Sequence, residues 1–370
     1  MSDVEKRIND LLQGADVKIN GERDWDIQVH NKKFYRRVMA DGPLGLGESY
    51  MEGWWDVVSL DQLFHKLLRT DIEHKVRSNK YLWAVLLCKV FNPQSISRSF
   101  HVGEHHYDTG NDLFECMLDK RLTYTCGYWE NASNLDQAQE DKLDLVCRKL
   151  SLQENQRILD IGCGWGSFIK FATEHYGVQA IGVTISKEQA EYAKKNCAGL
   201  PVDVRLQDYR EINEQFDHIV SLGMFEHVGP KNHKTYMKVA SRCLKDDGLF
   251  LLHTIGSNFT RHNPDPWFNK YIFPNGILPS MKDISIAIDS KFILEDFHSF
   301  GPDYDKTLMT WFENFDSGWK HLQKKYGDQF YRMWKYYLLC CAGAFRARNL
   351  QLWQFVFSKK GIEGGYTSVR

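Results

Sequence analysis

The sequence lacks the features that mark membrane-spanning, secreted and zinc-stabilised proteins. Its longest strongly apolar stretch, Tyr81 to Cys88, is far shorter than the ~20 residues that cross a bilayer. The charged N-terminus, MSDVEKRIND, argues against a signal peptide, and the nine cysteines form no CxxC pair. A disulfide framework and a structural zinc site are therefore poor interpretations, no metal site is expected, and a reducing cytoplasm is favoured.

No charge of one sign dominates the chain either. Its 47 Lys and Arg residues nearly balance 48 Asp and Glu residues, giving a net charge of −1, so we expect no nucleic-acid partner. What the chain has in quantity is apolar side chains: 43% of its 370 residues are hydrophobic, and it contains 11 Trp, 17 Tyr and 22 Phe. At roughly 100–200 residues per domain, this length and composition predict two or three folded domains.

The spacing of apolar residues changes along the chain and predicts two domains. Helical spacing dominates residues 1–91, a small helical N-terminal domain that ends in the unusually apolar segment Lys80 to Phe91. Residues 92–103 are polar, begin with Asn-Pro and form a linker. In residues 104–370, a helix start at Asn134 precedes short strands that alternate with helices, which predicts a doubly wound, mostly parallel α/β sheet. The predicted strands are Arg157–Ile161, Val178–Val183, Val202–Leu206, Asp217–Ser221, Leu249–Thr254 and Leu352–Ser358, with an irregular stretch after Gly256 and a late helix over Phe312 to Phe345.

The segment LDIGCGWGSF, from Leu159 to Phe168, is the clearest ligand signature. Its pattern D-x-G-x-G-x-G joins a predicted strand to a helix, where glycines let the backbone approach a ligand closely. The pattern differs from the G-x-G-x-x-G of dinucleotide folds and lies deep in the chain, which favours S-adenosylmethionine over NAD. A tight turn without a ligand is the alternative. The candidate binding residues are Asp160, Gly162, Cys163, Gly164 and Gly166.

Two later segments complete the predicted cofactor site. Many methyltransferases place an acidic residue after the second strand to hold the ribose hydroxyls, whereas this chain has Thr184, so Gln189 is the candidate for that contact. The segment after the third strand is placed to contact adenine, with a solvated loop as the alternative. The remaining candidates for the cofactor site are Tyr124, Thr125, Ser186, Gln207, Asp208 and Tyr209.

Six longer segments carry a specific resemblance to one family. They are EHHYDTGNDLF (Glu104 to Phe114), LTYTCGYW (Leu122 to Trp129), SLGMFEHVGPKNH (Ser221 to His233), LLHTIGSN (Leu251 to Asn258), DPWFNKYIFPNG (Asp265 to Gly276) and CCAGAFRARNLQLWQ (Cys340 to Gln354). In these segments the chain resembles the bacterial cyclopropane-fatty-acyl-phospholipid synthases and the related mycolic acid cyclopropane synthases. The resemblance runs from about residue 17 to the C-terminus, and its departures, Gly127 in place of alanine and a doubled cysteine at Cys340, are small.

The resemblance implies a fold for each domain. Residues 104–370 are expected to form a Rossmann-like, S-adenosylmethionine-dependent methyltransferase domain. The segment GLGESYMEGWW, which lies in a predicted glycine-rich turn from Gly42 to Trp55, resembles the family's accessory lipid-handling domain. The small N-terminal domain is therefore expected to be mainly helical and to handle lipid.

The resemblance also implies a reaction, the transfer of a methylene group from S-adenosylmethionine to the cis double bond of an unsaturated phospholipid acyl chain. A base must remove a proton from the arriving methyl group, and a carboxylate beside a carbocation risks alkylation. The implied base is a bound bicarbonate ion, which the chemistry makes sensible. Its pocket in the family maps onto Cys126, Glu226, His253, Ile255 and Tyr304. A helix-start charge for Glu226 and a satisfied core histidine for His253 are the plain structural alternatives.

Cys341 and a set of aromatic residues are further candidates. The family places a cysteine at Cys341 that has been regarded as an active-site residue, although the reaction needs no thiolate and a buried structural thiol fits equally well. Aromatic faces can stabilise a cation without reacting with it, while core packing is the alternative for each ring. The rings available are those of Tyr124, Tyr128, Trp129, Tyr271, Phe273 and Tyr304.

These inferences place the protein in the cytoplasm, associated peripherally with the inner face of the cell membrane. Lys80 to Phe91, flanked by basic residues, is either an interfacial helix or the buried core of a helical domain. A role of the N-terminal domain in forming a homodimer also stays open. The rival functions are transfer that ends at a methyl-branched or hydroxylated acyl chain, and a lipid-binding protein with a degenerate cofactor site.

Overall fold

The computed structural model describes residues 3–70, 110–261 and 263–370. The chain forms two compact units, each made of several segments. Among the described residues, the helical unit comprises 3–70, 263–274 and 304–350, and the sheet unit comprises 110–261, 275–303 and 351–370. The predicted linker 92–103, the apolar segment Lys80 to Phe91 and the first residues of Glu104 to Phe114 lie outside the described residues.

Within the described ranges, nine strands form two sheets. They are β1 (Gln28–Val29), β2 (Trp55–Asp56), β3 (Arg157–Ile161), β4 (Gln179–Thr184), β5 (Val202–Leu206), β6 (Phe216–Leu222), β7 (Leu244–Ser257), β8 (Ile293–Ser299) and β9 (Leu350–Ser358). β1 and β2 pair antiparallel, and the other seven form one sheet in the order β5-β4-β3-β6-β7-β9-β8. The pairs from β5 to β7 are parallel, and β8 pairs antiparallel with β9 at the edge. This is a Rossmann-like α/β sheet, and its strand order reverses beside β3, where ligands of such sheets bind.

Twelve helices are found among the described residues. They are α1 (Asp3–Gln13), α2 (Lys33–Asp41), α3 (Pro43–Met51), α4 (Leu60–Leu68), α5 (Asn111–Met117), α6 (Leu135–Lys149), α7 (Ser167–Tyr176), α8 (Lys187–Asn196), α9 (His233–Cys243), α10 (Pro266–Tyr271), α11 (Met281–Ile288) and α12 (Pro302–Arg346). α12 consists of two helical segments joined at Gly327, which has φ 76° and ψ 164°. In the part of the chain that the structure describes, none of these helices is long and apolar enough to span a membrane.

The predicted helix start at Asn134 is confirmed in the sheet unit. The Asn134 side chain accepts a hydrogen bond of 3.0 Å from the Gln137 amide, which satisfies one of the free N–H groups at the start of α6. The apolar face of α6, with Leu143 and Val146, is buried in the same core cluster as Ile158 of β3. α6 therefore packs on the core of the sheet unit through this face.

Glycines in the helical unit permit close helix packing. The segment from Gly42 was predicted as a turn, but Pro43–Met51 forms α3. A Cβ atom at Gly45 would lie 2.5 Å from the Arg37 carbonyl oxygen, and one at Gly47 would lie 2.3 Å from the Trp267 ring. These glycines therefore let α2 and the Trp267 indole pack closely against α3. The glycines serve helix packing, so they do not require a turn.

The observed units differ from the predicted domain boundary because α12 packs on the N-terminal helices. A Cβ atom at Gly343 would lie 2.5 Å from the carbonyl oxygen of Asp61 in α4. Arg346 donates hydrogen bonds to Asp61 at 2.5 Å and to Asp305 at 2.8 Å. The segment Ala-Gly-Ala-Phe-Arg is therefore part of the helical unit, although it follows most of the sheet strands in sequence.

Candidate active site

The glycine loop between β3 and α7 is tied to the neighbouring strand. The N–H groups of Gly162 and Cys163 both donate to the Val183 carbonyl, at 2.9 and 3.0 Å. Gly162 and Gly164 have positive φ, 93° and 54°. A Cβ atom at Gly162 would lie 2.8 Å from Met224, whereas one at Gly164 would meet no atom within 4 Å. Gly162 is thus required by protein packing, and Gly164 leaves open space that a ligand can use.

Cys163 faces the protein core. Its side chain lies in the core cluster of the sheet unit, and Gly182 in β4 makes room for it, since a Cβ atom there would lie 2.9 Å from the Cys163 sulfur. Burial raises the pKa of the Cys163 thiol well above its ordinary value. Cys163 is therefore suited to shape the loop through its backbone, and its thiol stays protonated.

The candidates after β4 form a connected polar network. The Thr184 hydroxyl donates to Gln189 Oε1 at 3.0 Å and accepts from the Ser186 amide at 3.2 Å. The Ser186 hydroxyl in turn caps α8 by accepting from the Gln189 amide at 3.3 Å. All three side chains are buried. The network fixes the orientation of Gln189, and its contact with ribose stays a prediction.

The candidates after β5 are held by an ion pair that the sequence did not reveal. Both carboxylate oxygens of Asp208 accept from Arg210, at 2.8 and 2.6 Å. The Asp208 side chain also accepts from the Arg210 amide at 2.9 Å, where it caps the short helical turn Tyr209–Glu211. The Tyr209 ring is buried against Tyr236, and the Gln207 amide donates to the Thr184 carbonyl at 3.0 Å. The carboxylate of Asp208 is therefore fixed in place.

The segment from Leu122 to Trp129 lies against both the glycine loop and the loop after β6. The ring of Tyr124 contacts Phe114 at 5.2 Å between centroids, and Phe114 contacts Trp165 of the glycine loop at 4.8 Å. A Cβ atom at Gly223, after β6, would lie 2.8 Å from the Thr125 methyl group. Segments that are up to about a hundred residues apart in sequence therefore meet around the carboxyl ends of β3 and β6.

Lys142 is a buried residue of the site that sequence reasoning missed. Its side chain is fully buried, and its ammonium donates to the Thr125 hydroxyl at 2.8 Å. Burial lowers the pKa of Lys142 to about 8, although nearby anionic groups, Asp119 first among them, oppose that shift. The signal was available in the sequence, because Lys142 lies three residues after Gln139 and four before Val146, on the buried face of α6.

Asp160, at the end of β3, is the acidic group of the glycine motif. It is buried, and its Oδ1 has no hydrogen-bond partner among the residues that the structure describes. Burial raises the pKa of Asp160 to about 7, and the positive charge of Lys142 opposes that shift. A buried oxygen without a partner at the ligand-binding edge of the sheet fits a polar group of a bound cofactor.

Hydrogen bonds link the segment after β6, which carries Glu226, to β7, which carries His253 and Ile255. The Gly223 amide donates to the His253 carbonyl at 2.9 Å, and the Ile255 amide donates to Glu226 Oε1 at 2.6 Å. Within the described ranges, Glu226 Oε2 and His253 Nε2 have no hydrogen-bond partner, and both residues are at most 5% exposed. Two buried polar atoms without partners fit a small ion with hydrogen-bonding oxygens.

The protonation of these two residues follows from their burial. Burial raises the pKa of Glu226 to about 7, while the hydrogen bond from the Ile255 amide opposes the shift. Burial, together with Lys142 and other cations, lowers the pKa of His253 well below its ordinary value. At neutral pH the imidazole is neutral and has one N–H group to donate.

The thiol of Cys126, which is fully buried, donates to the Gly127 carbonyl at 3.1 Å.

Tyr304 and Cys341 belong to the helical unit, where both lie on α12. The ring of Tyr304 contacts Phe345 at 4.6 Å and Trp311 at 5.9 Å. Burial, and to a lesser degree Asp265, raises the pKa of the Cys341 thiol above its ordinary range. A protonated thiol is a weak nucleophile, which favours a structural role for Cys341. The role of Tyr304 in a bicarbonate pocket stays a prediction.

The aromatic candidates have defined neighbours. The Tyr128 hydroxyl donates to Glu130, and its ring contacts His298 and Phe300 in the sheet unit. In the helical unit, the Tyr271 hydroxyl donates to Glu48 at 2.9 Å. Further aromatic pairs are Trp267 with Tyr271 and Phe273 with Tyr337. Tyr128 and Tyr304 are buried, whereas the other four candidate rings are partly exposed, and contact of any of them with a cation stays a prediction.

Comparison with known proteins gives consistent matches. Residues 94–355 match the family described as mycolic acid cyclopropane synthetase. The chain is 51% identical over 363 residues, 98% of its length and 95% of the relative, to a cyclopropane-fatty-acyl-phospholipid synthase of Escherichia coli strain K12. Two solved structures, a cyclopropane synthase from Mycobacterium tuberculosis and a mycolic acid cyclopropane synthase complexed with SAH and CTAB, are each 32% identical with a TM-score of 0.66. Each of the two covers 70% of this chain and 98% of its own.

Proposed function

The chain belongs to the mycolic acid cyclopropane synthetase family, and on that premise we propose that it adds a methylene group to the cis double bond of an unsaturated phospholipid acyl chain, forming a cyclopropane ring. It is an S-adenosylmethionine-dependent methyltransferase. The observation that carries the proposal is the 51% identity over 98% of the chain to a synthase with a phospholipid substrate in its name.

S-adenosylmethionine, when bound, supplies an electrophilic methyl group. The open backbone at Gly164 gives the room that the glycine loop needs to approach this cofactor. The unpartnered Oδ1 of Asp160 is a buried acceptor beside that loop, and the network of Thr184 and Gln189 presents an oriented amide at the next strand. These groups bind and orient the cofactor without taking part in bond formation.

Bicarbonate, when bound, supplies a base that is not covalently attached to the protein. Nε2 of His253, when it carries the proton, donates to one oxygen, and Oε2 of Glu226 accepts from a hydroxyl. The Ile255 amide is already bonded to Glu226 Oε1, so Ile255 orients the carboxylate. Cys126, whose side chain is fully buried, is assigned to this pocket on the family resemblance. The burial of these residues excludes water, which would otherwise trap a carbocation as an alcohol.

The reaction is tested with vesicles of unsaturated phospholipid and labelled S-adenosylmethionine, followed by mass analysis of the acyl chains. We expect label in a cyclopropane acyl chain, and none with vesicles of saturated phospholipid. A methyl-branched or hydroxylated product would assign a different transferase, and binding of vesicles without product would indicate a lipid-binding protein.

The base is tested by removing carbonate. In rigorously carbonate-free buffer we expect turnover to be lost, and to return on addition of bicarbonate but not of chloride at the same ionic strength. Full activity with no carbonate retained by the protein would contradict a bound bicarbonate and leave Glu226 as the next candidate for the base.

We also propose that the protein is cytoplasmic and works peripherally at the inner face of the cell membrane, with its N-terminal residues handling lipid. The support is the phospholipid in the relative's name. Sedimentation of the full chain with phospholipid vesicles tests this proposal, and protein that stays in the supernatant while it turns over vesicle lipid would contradict it. Sedimentation velocity in the absence of lipid measures whether the chain forms a homodimer, which the sequence leaves open.

A further inference from the structure

We propose that Gln354 is a positioning residue, which holds His253 as the tautomer with its proton on Nε2. The inference rests on the proposed function, in which His253 donates a hydrogen bond to a bound bicarbonate ion. Gln354 lies on β9, the neighbour of the strand that carries His253. Gln354 closes one of the segments that carry the family resemblance, but it is 101 residues from His253 along the chain, so its contact with the imidazole is visible only in the fold.

The contact between the two side chains is direct and fully buried. Gln354 Nε2 lies 3.2 Å from His253 Nδ1, and the two residues are 0% and 1% exposed. The ring of Phe300 lies against the imidazole at 5.9 Å between centroids. Because both side chains are buried and in direct contact, the orientation of the Gln354 amide determines which ring nitrogen carries the proton.

The orientation of the amide leads to one tautomer. Gln354 Nε2 faces Nδ1, while Gln354 Oε1 has no hydrogen-bond partner among the described residues. An amide nitrogen donates, so in the proposed arrangement Nδ1 accepts and is unprotonated. A neutral imidazole then has its proton on Nε2, which is the ring nitrogen that has no partner among the described residues. In this tautomer Nε2 can donate to an anion oxygen. In the other tautomer Nε2 would be an acceptor and would repel the two carboxylate-type oxygens of bicarbonate.

The surroundings of His253 keep it neutral, so the tautomer matters. Lys142, Lys149 and His298 all disfavour a second proton on the ring, and so does burial. An imidazolium would donate from both nitrogens and would need no orienting partner. A neutral ring donates from one nitrogen only, and an error in its tautomer removes the hydrogen bond to the ion.

The first test observes the tautomer itself. The full-length protein with ¹⁵N-labelled histidine is measured by NMR, and the His253 signals are assigned by comparison with His253→Asn. We expect a protonated Nε2 and an unprotonated Nδ1 in the wild type, and a mixture of tautomers in Gln354→Leu. A wild-type protein with its proton on Nδ1 would overturn the proposal.

The second test measures activity in a double-mutant cycle. Gln354→Leu should lower activity on the order of 10- to 100-fold, as removal of an orienting partner commonly does, with unchanged affinity for S-adenosylmethionine. In His253→Gln the amide itself supplies a donor near the position of Nε2, so adding Gln354→Leu should cause little further loss. Equal losses from Gln354→Leu in both backgrounds would show that Gln354 acts elsewhere and overturn the proposal.

The matched control is Gln351→Leu, a buried glutamine three residues earlier on β9. An odd spacing along a strand directs its side chain to the opposite face of the sheet, so this variant should change neither the NMR signals nor the activity. The tests also separate this inference from the proposed function. Activity that is independent of bicarbonate, with the Nε2 proton observed, would remove the base and leave the tautomer assignment standing.

Discussion

Single buried ionisable residues control how the sheet unit responds to pH. Burial raises the pKa of both Glu226 and Asp160 to about 7 and lowers that of Lys142 to about 8. The charged form of each group therefore destabilises the folded protein unless a hydrogen-bonding or oppositely charged partner compensates it. Asp160 and Lys142 partly compensate each other, whereas the charge of Glu226 is supported by hydrogen bonds from the Ile255 amide, its own backbone and the Thr254 hydroxyl. The buried ionisable groups with strongly shifted pKa values are therefore found at the candidate site, where burial of their charged forms destabilises the fold.

Glu226→Gln should make the ligand-free protein more stable at high pH. In the wild type the folded state holds a proton on Glu226 between pH 4.5 and about 7, while the unfolded state has released it. Wild-type stability therefore falls as the pH rises through this window, by on the order of 3 kcal/mol for a shift of this size. Glutamine removes this loss, so the free energy of unfolding should exceed that of the wild type at pH 8 and match it near pH 4.

The same variant should lose most of its turnover with little change in affinity for S-adenosylmethionine. Glutamine keeps the size of the side chain but replaces the carboxylate that accepts from the ion. We also expect the wild-type activity to rise with pH through about 7, as Glu226 ionises, and this limb to vanish in the residual activity of Glu226→Gln. A variant that keeps both the turnover and the limb would exclude Glu226 from the reaction.

Gly164→Val should strongly weaken the binding of S-adenosylmethionine. The added side chain fills space that no protein atom occupies within 4 Å, and overpacking of about 3 kcal/mol corresponds to roughly 100-fold weaker binding. The control is Gly53→Val, which also has positive φ, 71°, and no atom within 4 Å of an added Cβ, but lies in the helical unit. Calorimetric titration compares the two, and unchanged affinity in Gly164→Val would remove this loop from the cofactor site.

At the scale of helices and strands, the sequence predicted the elements that follow the regular alternation of strand and helix, but it did not predict the edge strand β8. The strands from β3 to β7 were found at or near their predicted places. The apolar runs of β3, β4 and β6 are largely buried, whereas β5 lies at the sheet edge and only its Val204 is buried. The edge strand β8 was missed because its pattern is inverted. Ile293 and Leu294 are exposed, whereas Asp296 is buried, where it pairs with Arg370 at 2.7 Å. Arg370 is far from Asp296 in sequence, so the local sequence around β8 does not predict this ion pair.

The contact between α12 and α4 predicts that Gly343→Ala destabilises the helical unit. A methyl group at this position would lie 2.5 Å from the Asp61 carbonyl oxygen, and overpacking of this kind typically costs about 1–3 kcal/mol. Alanine is the better helix former, so any loss must come from packing. Thermal unfolding measures the effect, with Ser317→Ala at an exposed position of α12 as the control. A melting temperature equal to that of the control would contradict the close packing of these helices.

At the scale of the whole molecule, the two units do not follow the order of the chain. Residues 304–350 complete the helical unit, and the strand β9 that follows returns to the sheet. The N-terminal helices are therefore part of a core shared with a late helix. A lipid-handling role for residues 1–91 stays a prediction, and any change to them acts on α12 as well.

A chain that starts at residue 104 should be less stable and lose most activity on vesicles, yet still bind S-adenosylmethionine. Removing α1 to α4 exposes the face of α12 around Gly343 and leaves Arg346 without Asp61. The candidate cofactor residues all lie in the sheet unit, which keeps its own sheet and core. Calorimetry of unfolding and of cofactor binding measures both properties. Unchanged stability, or vesicle turnover equal to that of the full chain, would contradict the role given to the N-terminal residues.

The sequence by itself determined the α/β class, the positions of most strands, the glycine loop and the family. These properties depend on the local spacing of residues and on long motifs, and both can be identified in the linear sequence. Tertiary structure alone decided which polar atoms lack partners, that Gln354 meets His253, that Lys142 is buried beside Thr125, and that α12 belongs with the N-terminal helices. Burial and pairing depend on residues up to a few hundred positions apart, so they exist only once the chain has folded.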